Sequence, residues 1–234
     1  MQIPGSTSMM AMKLRFGLSL AACGLPMLLL VSPAHANTLT PGESGSPDTF
    51  TLSGLTLLAS SPSEAQSDGS LTWDFAEAVY SDPSNTFGAG DLDFMYQVTN
   101  TTNPDVDVFL STINFQDFTG FSTDVGVTSS GSTLPGGVFV NGNNEASDVD
   151  RSDDGSQVGF EYFRYSSDTS YVMVIETNAT NYDANGLMNL SFEDIDPSSS
   201  AFEPAAATGV PEPGTTALLG AGLLLIGVLR RRLT

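Results

Sequence analysis

Apolar and polar residues alternate with a period of two through the middle of this chain. Over 71–76, Leu71, Trp73 and Phe75 alternate with Thr72 and Asp74. Over 91–99, Leu92, Phe94, Tyr96 and Val98 share one side, with Asp91, Asp93, Gln97 and Thr99 on the other. This is the signature of strands with one buried face. Further strands are expected in 50–60, 106–115, 156–165 and 186–195. The run 171–175 is nearly continuously apolar, which places it centrally in a sheet. Turn clusters separate these segments: Ser81-Asp82-Pro83-Ser84-Asn85, Thr101-Thr102-Asn103-Pro104 and Asn141-Gly142-Asn143-Asn144. No helical period interrupts them, and no repeat of fixed length relates them. The pattern predicts an all-β body over 50–204, an antiparallel β-sandwich of jelly-roll-like form. Residues 37–49, rich in Ser, Thr, Pro and Gly, read as a linker, and 205–209 as a second one.

The two ends follow a different rule. Lys13 and Arg15 precede an apolar run over 16–31, and Ala34-His35-Ala36 supplies small residues at a cleavage site. This arrangement predicts a helical secretory signal peptide within 1–36, preceded by an extension up to Met12 and cut by signal peptidase after Ala36. Leu20-Ala21-Ala22-Cys23 is similar to a lipoprotein acylation site, but the chain stays apolar after Cys23, as an unbroken signal core does. At the other end, 215–229 carries no charge and abuts Arg230, Arg231 and Arg232. As a helix it would extend about 22 Å, short against a hydrocarbon core of about 30 Å. Its apolar residues occupy every face, so a membrane helix fits better than a packed one. The arginines act as a stop-transfer cluster and keep the C-terminus on the cytoplasmic side.

Val210-Pro211-Glu212-Pro213, the short apolar run and the terminal arginines together resemble the PEP-CTERM sorting signal, expected over 210–234. That signal belongs to proteins exported by Gram-negative bacteria. The resemblance implies that an exosortase, a membrane protease, recognises Pro211-Glu212-Pro213 and processes the tail. It also implies passage through the inner membrane to the cell surface or extracellular matrix, and association with extracellular polysaccharide and biofilm material. Two prolines around one carboxylate form a stiff segment that refuses helix, a shape suited to a protease cleft. The stretches LDFMYQVTN, FTGFSTDVGV and DTSYVMVIETNATNY resemble a recurring group of proteins bearing this signal. That likeness implies a secreted β-sandwich and brings no catalytic residues with it.

Charge narrows the function further. The chain has 27 acidic residues against 7 Lys plus Arg, for a formal net charge of −20. Every acidic residue lies at Glu43 or beyond, and only Arg151 and Arg164 stand between the basic ends. Such a body repels phosphate backbones, which excludes nucleic acid as a partner, and attracts divalent cations. The only cysteine, Cys23, and the only histidine, His35, fall in the expected leader. The processed chain would then have no thiol nucleophile, no histidine base and no histidine zinc ligand.

The sharpest local motif is DVDRSDDGSQVGFE. Asp150, Ser152 and Asp154, then Gly155, and Glu161 follow a relaxed calcium-loop spacing, with Asp148 beside them. Calcium is the one cofactor this pattern admits. The flanks are not helical, so a plain acidic hairpin turn competes with it. Trp73, Tyr80, Tyr96, Phe160 and Tyr162 are candidates for stacking on sugar rings, against the commoner role of core aromatics. No pair of carboxylates is marked out as a glycosidase pair. The expected protein is exported and non-enzymatic, a structural or adhesive matrix component. A secreted carbohydrate-binding module is the alternative, and a glycan hydrolase stands behind that.

Overall fold

A computed structural model describes residues 38–68, 71–101, 110–162, 168–192 and 197–206. Thirteen strands make up the fold. They are β1 (Thr38–Leu39), β2 (Ser44–Gly45), β3 (Asp48–Thr49), β4 (Thr56–Asp68), β5 (Leu71–Ser81), β6 (Leu92–Asn100) and β7 (Leu110–Phe115). There follow β8 (Thr123–Thr128), β9 (Asp148–Arg151), β10 (Val158–Glu161), β11 (Val172–Thr177), β12 (Asn181–Phe192) and β13 (Ser198–Ala205). The only helical element among the described residues is a 3-10 turn at Gly131–Thr133.

The strands form two sheets. Sheet A runs β1-β8-β11-β6-β5-β4, and sheet B runs β13-β12-β7-β10-β9-β2. Pairing is antiparallel except where β3 lies parallel to β8. The chain changes sheet at β1–β2, β2–β3, β6–β7, β7–β8, β8–β9, β10–β11 and β11–β12. Between these crossings β4-β5-β6 is a plain meander, and β9-β10 and β12-β13 pair as neighbours.

Period-two alternation decides which side chains fill the space between the sheets. Phe75, Val79, Phe94, Tyr96, Met173 and Ile175 of sheet A meet Ile113, Phe115, Val149, Phe160, Met188 and Leu190 of sheet B. The Tyr96 ring stacks on Phe115 with centroids 3.8 Å apart, and Phe160 meets Phe115 edge-on. The Tyr96 hydroxyl crosses to the other sheet and donates to the Phe202 carbonyl at 2.6 Å.

Sheet A is buried on its outer side as well. Leu55, Leu134 and Phe139, from the segments before β4 and after β8, pack over Ala78, Tyr80, Met95, Val172 and Val174. This second layer explains why all six residues of β8 and of β11 are buried. It also means that Asp93, Gln97, Asp124 and Glu176, on the outer side of sheet A, do not face water.

Several expectations need correction. Residues 38–49 are no free linker: β1 and β3 join sheet A, β2 joins sheet B, and Leu39 is in the core. The expected strand 106–115 is described only from Leu110, and within the described part of 156–165, residues 156–162, the strand covers Val158–Glu161. The strands β8, β9 and β13 had no period-two signal strong enough to mark them. The expected signal and tail helices, 1–36 and 215–229, lie outside the described residues. Among the described residues no helix is long and apolar enough to cross a membrane.

Candidate metal centre on the outer side of sheet A

β6, β11 and β8 lie side by side, and their register sets three carboxylates in one row. Asp93 of β6 is opposite Glu176 of β11, which is opposite Asp124 of β8. All three point outward from sheet A, into the side that the second layer covers, and all three are buried. A fourth, Asp82, enters from the end of β5. It is fully buried too.

The segment 82–91 between β5 and β6 closes this row. The Asp82 carbonyl accepts from Gly90 N at 2.7 Å, and Asp82 N donates to the Asp91 carbonyl at 3.1 Å, which forms the neck of the loop. Asp82 Oδ1 accepts from Ser84 N and Ser84 Oγ, the turn chemistry expected of an Asp before Pro-Ser. The tip then reaches back over the sheet. Asn85 Nδ2 donates to Asp93 Oδ1 at 2.9 Å and to the Thr177 carbonyl at 3.2 Å. Thr86 N donates to Glu176 Oε2, and Thr86 Oγ1 to Asp124 Oδ2.

These bonds satisfy one oxygen of each carboxylate and leave others bare. Asp82 Oδ2, Asp93 Oδ2 and Asp124 Oδ1 are buried and accept no hydrogen bond. Gln97, two residues along the same side of β6, shows what ordinary satisfaction looks like. Its amide bonds Val140 through both N–H and C=O, and Ser170 as well. Buried polar groups are paired as a rule, so the bare oxygens call for a proton shared between Asp93 and Asp82 or for a cation. Asp82, Asp93 and Glu176 each offer an oxygen within 4.8 Å of the others'. Among the described residues no other three acidic groups gather in this way.

The electrostatics match the crowding. Burial first, then the charges of Glu176 and Asp82, push the Asp93 carboxyl up to about 9. Burial raises Glu176, and it lifts Asp124 to about 6 against the hydrogen bond from Thr86. Among the described residues no guanidinium offsets them. Arg151 is the sole Lys or Arg among the described residues, and it spends its donors on the oxygens of Leu39, Phe118, Phe121, Gly155 and Thr123. An all-oxygen, anionic, buried set of this kind suits a hard divalent cation.

The calcium loop expected at 148–161 is built otherwise. Asp148 and Asp150 lie on β9, Glu161 on β10 opposite Asp148, and Ser152 and Asp154 in the connecting turn. Asp154 Oδ1 accepts from Ser152 Oγ, Ser156 N and Ser156 Oγ, and these bonds hold its carboxyl down at about 2. The turn carboxylate is thus occupied by its own hairpin, and these acids do not gather into a common cluster. The five candidate sugar-stacking aromatics are buried in the two apolar layers. The expected cleavage and sorting residues, Ala34, Ala36, Val210 to Pro213 and Arg230 to Arg232, lie outside the described residues.

Fold and site together define a two-sheet β protein with a carboxylate cluster sealed under a loop. Comparison with known proteins adds its sorting class: the PEP-CTERM protein-sorting motif matches residues 209–232. The chain therefore carries the sorting signal of an exosortase substrate, which directs export toward the cell surface. No curated protein and no solved structure matches the chain.

Proposed function

We propose that this protein is a non-catalytic structural or adhesive component of an exopolysaccharide or biofilm matrix, delivered by an exosortase. The observation that carries this reading is the sorting motif at 209–232, which commits the chain to an export route toward the surface. Signal peptidase removes the leader in a Gram-negative host, the tail helix holds an inner-membrane intermediate, and the exosortase then reads Pro211-Glu212-Pro213. The acidic, two-sheet body supports an extracellular role, since the high charge keeps it soluble. The alternative of a carbohydrate-binding module loses its main support, because Trp73, Tyr80, Tyr96, Phe160 and Tyr162 are not available at the surface.

Mass spectrometry of the surface fraction tests the route. In an exosortase-competent host the mature protein is expected to lack Arg230 to Arg232, and in an exosortase-deficient strain to retain them. Retention in both strains would sink the processing step. Loss of matrix cohesion on deleting the protein tests the role, and an unchanged matrix would count against it.

A further inference from the structure

The sorting signal says nothing of what the buried carboxylates do. From their arrangement we infer that a calcium ion binds between Asp82, Asp93 and Glu176 and clamps the 82–91 loop onto sheet A. The inference stands apart from the matrix role and would survive its failure.

Three observations lead to calcium. The first is geometric: carboxylates from the loop neck, β6 and β11 present oxygens within 4.8 Å of each other. The second is the state of those oxygens. Asp82 and Asp93 are both 0 % exposed, yet Asp82 Oδ2 and Asp93 Oδ2 have no donor. A carboxylate sealed from water without a donor or a cation is strongly disfavoured. The third is donor type. Oxygen alone, without nitrogen or sulfur, selects calcium or magnesium over zinc or copper. Magnesium keeps most of its waters and needs a near-ideal octahedron, whereas calcium accepts several carboxylates in irregular geometry. The dry row under the loop fits the second habit.

The surrounding bonds look like the outer shell of such a site. Asn85 holds Asp93 through its other oxygen, Thr86 holds Glu176 and Asp124, and Ser84 holds Asp82. Each donor fixes one carboxylate oxygen and leaves the neighbouring space to the ion. Asp124, one strand further along the row, adds negative charge without being needed in the first ring of ligands. Since the ligands come from the β5–β6 loop, β6 and β11, the ion would tie segments about 90 residues apart in sequence. Calcium at extracellular concentrations suffices for a site with a Kd on the order of 10⁻⁴ M. The clamp would therefore close after export, where calcium is plentiful.

The test uses the full chain in mild detergent. Calorimetric titration with calcium is expected to show one site per chain. Saturating calcium should raise Tm by roughly 5–10 °C over the chelator-treated protein. Asp93→Asn and Asp82→Asn should each abolish that rise. Neither variant is expected to unfold, because the amide keeps the shape and cannot ionise. In chelator each should melt no lower than the wild type. The inference is overturned if calcium leaves the wild-type Tm unchanged, or if both variants keep the full shift. It is equally overturned if Asp150→Asn abolishes the shift instead, which would place the ion at the β9–β10 hairpin. An equal shift with magnesium would defeat the choice of calcium.

Discussion

Glu77 sits on the inward side of β5, between Phe75 and Val79, where period-two alternation calls for an apolar residue. Its carboxylate accepts from Phe202 N at 2.7 Å, while Tyr96, its partner across β5–β6, bonds the Phe202 carbonyl. The two side chains thus grip one residue of β13, Phe202, through the peptides on either side of it. Burial pushes the Glu77 carboxyl up to about 7, against the pull of the Phe202 N–H. A folded value above the ordinary 4.5 means that the native state holds the proton more tightly. The resulting stability is complete below pH 4.5 and drains away as pH rises through 7. Glu77→Gln keeps an acceptor for Phe202 N and removes the ionisation. Measured by urea unfolding in saturating calcium, the variant should gain on the wild type by about 3 kcal/mol between pH 4.5 and 8. A parallel pH profile for the two proteins would show that Glu77 is not the titrating group.

At the level of elements, β8 is held on both edges, by β11 along its full length and by β1 and β3 in turn. Gly126 makes the parallel β3 contact feasible, since a Cβ there would come to 2.4 Å from the Asp48 carbonyl oxygen and 2.5 Å from the Phe50 ring. Gly126→Ala should therefore expel β3 and cost roughly 1–3 kcal/mol in urea unfolding, as overpacking does. Amide exchange should quicken at Phe50, whose N–H bonds the Val127 carbonyl. Unchanged protection at Phe50 would mean that β3 yields without leaving. β5, β6 and β11 were legible in the sequence because their alternation or apolar run was long. β8 was not, since Thr123, Asp124, Gly126 and Thr128 make it look like a polar turn; only its place between two covering layers buries them. The carboxylate row was invisible for the same reason. Asp93 reads as a routine solvent-facing position of an alternating strand, and Asp82 as part of a turn. Their convergence with Glu176 depends on strand order and on the loop that seals the outer side. The 148–161 acids, by contrast, were conspicuous because they are close in sequence, yet β9 and β10 spread them along a hairpin.

The whole molecule combines a strongly acidic body with cations confined almost entirely to its two ends. Removing the leader and tail would strip away all basic residues except Arg151 and Arg164, and leave the acids almost unopposed. Arg151 cannot relieve them, being buried among carbonyl oxygens, so the described surface repels itself throughout. Self-repulsion of this kind destabilises the compact state and is screened by salt. The screening length shrinks from about 10 Å at 0.1 M to about 3 Å at 1 M. In chelator, raising sodium chloride from about 0.1 M to about 1 M should lift Tm by several degrees. A buried ion responds differently, because it neutralises oxygens that mobile sodium does not reach. Calcium at a concentration too low to alter the screening should therefore still raise Tm in high salt. If high salt alone brought the protein to its calcium-bound Tm and calcium then added nothing, surface screening would account for the whole effect. The outcome separates a general response of the acidic body from a local one beneath the 82–91 loop.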